Sequence, residues 1–133
     1  MSIVYDYEPL VAELAVKRMR VNEKDALKLC SIDEIKLRVD RLNEWRNKSA
    51  QDAKLCDEQF PHSSYPIITE DLQEERAKPV VLFTFDSAFH SKKRGRFFTE
   101  GEALKAMDSM EDEEDVYSAC ILVNGEPKTF TIK

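Results

Sequence analysis

Asn124-Gly125 sits between two runs of strand-forming residues, "VYSACILV" at 116–123 and "KTFTIK" at 128–133. A two-residue Asn-Gly loop requires positive φ at both positions, and its backbone twist matches that of two paired strands, so the segment predicts a tight antiparallel hairpin. The loop also sets the register: Val123 opposite Glu126, Leu122 opposite Pro127, Ala119 opposite Phe130 and Tyr117 opposite Ile132. Alternation then places Tyr117, Ala119, Ile121, Val123, Phe130 and Ile132 on one core-facing side. Pro127 lacks an N–H, which is harmless only where that group would point outward, so its strand is expected at a sheet edge.

The residues upstream complete a small mixed unit. "VVLFTF" at 80–85 is branched and aromatic throughout, the pattern of a strand buried on both faces, and Arg96-Phe97-Phe98 is a second candidate strand. Thr99-Glu-Gly-Glu102 carries the spacing of a capping box, and Ala103, Leu104, Met107 and Met110 supply one apolar helical face. Residues 80–133 therefore read ββαββ, an antiparallel sheet with one helix.

Residues 1–60 read as a helical part. Pro9 suits a first helical turn, Leu10, Val11, Leu14 and Ala15 recur at helical spacing, and Lys17, Arg18 and Arg20 gather at the end where the helix dipole favours cations. Asn22 with Asp25 marks a short second helix through about Leu29, and Ser31-Ile-Asp-Glu34 starts a third. From Ile32, a seven-residue repeat runs through Ile35, Val39, Leu42, Arg46, Ser49, Ala53, Cys56 and Phe60. As one helix it would span on the order of 40 Å, too long for so small a core, and a homodimer through 32–60 is the expected consequence. Residues 61–79, with three prolines, form the linker, with one short acidic helix capped by Thr69 and ending near Arg76. The fold class is thus α+β: two to three helices, one of them long, then the small sheet.

With 133 residues, a 42% hydrophobic content and 35% charged residues, the chain has apolar material for a core beneath a heavily ionised surface. No apolar run has the length of a membrane span, and "MSIVYDYEPL" lacks the basic and apolar regions of a signal peptide, so a cytoplasmic protein without membrane contact is expected. Cys30, Cys56 and Cys120, odd in number and widely spaced, fit buried thiols in a reducing compartment.

Reactive signatures are lacking in the sequence. His62 and His90 have no partner at metal-ligand spacing, and Gly95, Gly101 and Gly125 are scattered rather than grouped to cradle phosphate. No enzyme activity, metal or cofactor is expected. Residues 23–42 have two capped segments and a turn, but Asp33 and Glu34 would open a recognition helix with the wrong sign for DNA, which favours an ordinary helical corner.

Charge carries the functional reading. "FHSKKRGRFF" at 89–98 concentrates Lys92, Lys93, Arg94 and Arg96 in a chain of net charge -6. If 83–85 and 97–98 pair, 86–95 becomes a long cationic loop able to grip phosphates or an acidic surface. "EDEED", Glu111, Asp112, Glu113, Glu114 and Asp115, follows a helix C-terminus, where the dipole disfavours negative charge, so it is not there for local stability. Separate acidic and basic zones point to a non-enzymatic protein-interaction module, a cytoplasmic adaptor, regulator or inhibitor. A host-directed inhibitor carried by a phage or mobile element is one form this takes. The alternative is a nucleic-acid-binding regulator using residues 92–96 and helix 32–48.

Overall fold

In the computed structural model, which describes residues 4–61, 67–68 and 78–133, the hairpin at Asn124-Gly125 has the expected register. Asn124 and Gly125 take φ of 52° and 81°, and the strands β5 (Ser118–Val123) and β6 (Glu126–Thr131) pair Val123 with Glu126, Leu122 with Pro127 and Ala119 with Phe130. Beyond the ladder, the Ile132 N–H donates to the Tyr117 carbonyl at 2.9 Å. β6 is an edge strand, as Pro127 requires.

Before them come β3 (Val80–Phe85) and β4 (Ser91–Phe97), giving a four-stranded antiparallel sheet in the order β4-β3-β5-β6. All six residues of β3 are buried. Among the described residues the helices are α1 (Glu8–Arg20), α2 (Glu23–Ala26), α3 (Ile32–Arg46), α4 (Ala50–Gln59) and α5 (Glu100–Asp108). The α+β class and the order of helices first, sheet second, with one helix between the two strand pairs, are as expected. The caps are where the sequence put them: Asn22, Ser31 and Thr99 side chains accept from the N–H groups of Asp25, Glu34 and Glu102.

The sheet is covered on both sides. Alternation sends Val81, Phe83, Phe85, Cys120 and Leu122 towards α1, where Val11, Ala12, Ala15 and Val16 meet them. Val80, Leu82, Ala119 and Ile121 face the other way, against Ala103 and Met107 of α5. The hairpin face predicted from the turn is this second one; its reverse is buried as well, because the helical residues and the sheet share a core.

The third helix differs from expectation. It ends at Arg46, turns through Asn47-Lys48, and a new helix starts behind Ser49, whose side chain accepts from the Asp52 N–H. α3 and α4 fold back on each other, and Arg46 forks onto Asp57 with bonds of 3.0 and 3.2 Å. Both arms turn the seven-residue repeat inwards: Val39, Leu42 and Cys56 are buried together with Tyr5, while Trp45 and Phe60 meet edge to face at 6.3 Å. The polar centre of the repeat is the turn, so the length that suggested a dimer through 32–60 is taken up within the chain.

Tyr5 anchors this cluster from β1 (Val4–Tyr5), which pairs antiparallel with β2 (Ile67–Ile68). Its backbone N–H donates to Asn43 Oδ1 at 2.8 Å, and Asn43 Nδ2 returns a bond to its carbonyl at 3.0 Å, so a side-chain amide of α3 completes the strand. The Tyr5 hydroxyl donates to the Phe60 carbonyl at 3.0 Å, and burial pushes its pKa up to about 12. The expected helix capped by Thr69 lies outside the described residues, and none of the helices described is long and apolar enough to cross a membrane.

Candidate functional site

The cationic residues of 92–96 lie on a strand rather than a loop. β4 begins at Ser91, and the connection from β3 is the short turn 86–90. Asp86 shapes it: Oδ1 accepts from the Ala88 and His90 N–H groups, both at 2.9 Å, and Oδ2 lies 3.1 Å from His90 Nδ1. The His90 N–H is the main reason that the Asp86 carboxyl is held below its usual pKa. Phe89, at φ 64°, takes a conformation that bulky residues avoid. Its ring packs against the α1 side of the core beneath the Arg20 guanidinium, 5.0 Å from the ring centre.

One inserted residue then divides the four cations. Leu82 pairs with Gly95 but Phe83 pairs with Lys93, so Arg94 is the extra residue of a β-bulge, and Gly95 beside it takes φ 153°. In an unbulged strand Lys92, Arg94 and Arg96 would share a face. The bulge shifts the alternation by one, and Arg96 falls opposite Val81 on the α1 side. There its Nη1 donates to Glu8 Oε1 at 2.7 Å, and Nε and Nη2 donate to the Lys78 carbonyl at 3.2 and 2.8 Å. The side chains of Arg96 and Glu8 are only 5% and 7% exposed. Arg96 is therefore a buried link between the sheet edge and the first turn of α1.

Arg94 stays on the α5 side. Its Nε donates to Thr84 Oγ1 at 2.8 Å, and Nη1 lies 3.2 Å from Glu113 Oε2. The cationic and acidic stretches singled out in the sequence thus meet, through one residue of each. Lys92 and Lys93 remain exposed. A polar pocket of about 290 Å³ opens here, lined by Thr84, Asp86, His90, Ser91, Lys92, Arg94 and Asp115. It holds no thiol, since Cys120 faces the opposite side of the sheet, fully buried, with burial pushing its pKa up to about 12. Cys56 is also buried, and among the described residues no group of three or more His, Cys, Asp or Glu is placed to hold a metal ion.

The acidic run is a series of fixed turns between α5 and β5. Backbone bonds link Glu111 to Asp108, Glu113 to Met110 and Val116 to Glu113, and Val116 is fully buried. Glu113 is held twice more, by Arg94 and by Lys133 Nζ, which donates to its carbonyl at 2.6 Å. Glu111, Asp112, Glu114 and Asp115 stay exposed and make no ion pair among the described residues. Elsewhere Lys36 pairs with Glu126 at 3.1 Å and Lys128 with Glu100 at 2.8 Å.

Sequence reasoning found both charged stretches but missed Glu8, Thr84 and Asp86. Asp86 had a local signal, a turn-forming carboxylate ahead of Ala88 and His90; Glu8 had none, because its partner lies 88 positions away. Comparisons with protein-family models, curated proteins and solved structures give no match for this chain.

Proposed function

We propose that the chain is a non-enzymatic protein-interaction module, an adaptor, regulator or inhibitor that docks a basic surface of a partner protein through Glu111, Asp112, Glu114 and Asp115. The observation that carries this reading is the way the loop is held. Arg94, Lys133 and buried Val116 hold it in place, yet four of its carboxylates face solvent with no cation partner among the described residues. A preformed loop loses little conformational entropy on docking, and a local excess of one charge steers association with an oppositely charged surface. The loop also follows the C-terminal end of α5, where like-signed charge weakens the helix, so local stability does not account for it. Buried thiols at Cys56 and Cys120 support work in a reducing, cytoplasmic setting.

The test is capture of partners from the native cell by the tagged protein and by a variant combining Glu111→Gln, Asp112→Asn, Glu114→Gln and Asp115→Asn. These residues are exposed, so the variant is expected to keep the circular dichroism spectrum and, to within about 0.5 kcal/mol, the stability of the parent. A specific partner released by salt and absent from the variant's eluate supports the proposal. Equal recovery with both proteins, or no salt-sensitive partner, rejects it.

A further inference from the structure

Helix α3 turns Val39 and Leu42 to the core but leaves a second stripe facing outwards. Along that stripe runs a groove of about 520 Å³ lined by Glu34, Leu37, Arg38, Arg41, Leu42 and Trp45. Its apolar wall is incomplete, with Leu37 49% exposed. Its rim is basic, two arginines against Glu34, whose Oε2 already accepts from Cys30 Sγ at 3.4 Å.

These two arginines differ from the others described. Arg18 donates to the carbonyls of Leu29 and Cys30, Arg20 covers Phe89, Arg46 forks onto Asp57, and Arg94 and Arg96 hold Glu113 and Glu8. Arg38 and Arg41 alone make no hydrogen bond, ion pair or ring contact among the described residues. They stand three apart on one helix, hence side by side, with Leu37 next to them. The lining from Glu34 to Trp45 covers about three helical turns, the footprint of an amphipathic helix laid in a groove.

We infer that this groove docks an acidic amphipathic helix of a partner protein, its carboxylates meeting Arg38 and Arg41 and its apolar face covering Leu37 and Trp45. A second copy is a poorer occupant. A two-fold pairing of α3 would bring Arg38 and Arg41 against their own counterparts, with one Glu34 from each copy to offset them. The inference is independent of the acidic loop, which lies on other elements and would meet a partner of opposite sign.

Trp45 is the only tryptophan in the chain and reports on the groove directly. The probe is a helical peptide with Leu at positions i, i+3, i+4 and i+7 flanked by Glu, alongside the same peptide with Lys in place of Glu. The Glu peptide is expected to give a saturable change in Trp45 emission, and the Lys peptide none. Arg38→Glu with Arg41→Glu is expected to raise Kd about tenfold or more, and Leu37→Asp to weaken binding in parallel. All three positions are exposed, so the variants should keep the parent circular dichroism spectrum. The inference is overturned by no response to the Glu peptide up to about 1 mM, by an equal response to the Lys peptide, or by binding indifferent to both variants. It is also overturned if sedimentation shows that the emission change tracks self-association of the protein.

Discussion

Arg96→Ala is expected to destabilise the protein by about 3–5 kcal/mol, a fall in Tm of about 10 °C or more. The substitution strips Glu8 of its 2.7 Å bond to Nη1 and leaves the Lys78 carbonyl without two donors, all in a site where the charged side chains have lost nearly all contact with water. A carboxylate taken out of water loses most of its solvation, and only a well-aligned cation compensates for it. Arg96→Lys is not expected to rescue, because an ammonium group cannot reach Glu8 and fork onto the Lys78 carbonyl at once. Glu8→Leu combined with Arg96→Met removes both charges and should lose markedly less than the two single changes added together. Urea denaturation of the five variants, Glu8→Leu and Arg96→Met alone included, gives these values. If Arg96→Ala lies within about 1 kcal/mol of the parent, the buried link between β4 and α1 does not hold the edge of the sheet.

Asn43→Ala is the second large loss expected, about 2–4 kcal/mol. The Asn43 amide bonds both the N–H and the carbonyl of Tyr5, a residue 1% exposed at the centre of the α3–α4 cluster. Alanine removes both of these bonds at once, and a buried polar group that loses a partner costs more than an ordinary hydrogen bond contributes. Asn43→Asp sharpens the test. It keeps an acceptor for the Tyr5 N–H but sets a carboxylate oxygen against the Tyr5 carbonyl, so it should be destabilised to a similar degree. Stability close to the parent in Asn43→Asp would mean that the amide's donor is dispensable and that packing alone secures β1.

Both sites show where local pattern stops carrying information. The Asn124-Gly125 turn determines its own register because its backbone angles constrain the residues on either side, and Asn22, Ser31 and Thr99 cap helices a few positions downstream. Such features are legible because cause and consequence are neighbours in the chain. The break at Asn47-Lys48 was hidden for a different reason: a seven-residue repeat is satisfied equally by one long helix and by two short ones folded along the same seam. Ser49 with Asp52 was the signal that the repeat concealed. The cation cluster was seen, but its division was not. The polar residues of β4 carry no alternation to betray a strand, and the bulge is marked only by Gly95. Glu8 and Asn43 depend on contacts across 88 and 38 positions, which periodicity and caps cannot anticipate.

The bulge decides which charges of β4 remain outside. Arg94 and Arg96 are bound to Glu113 and Glu8, so β4 presents Lys92 and Lys93, while the neighbouring loop presents four exposed carboxylates that make no ion pair among the described residues. A phosphate backbone approaching this face would meet two lysines beside that excess of negative charge, whereas a basic protein surface would meet complementary charge. Anisotropy titration of labelled single-stranded and duplex DNA and RNA at about 50 mM salt tests this directly. The account predicts no saturable binding by the parent protein. Saturable binding with a steep salt dependence, abolished by Lys92→Ala with Lys93→Ala, would contradict it and make β4 a nucleic-acid grip.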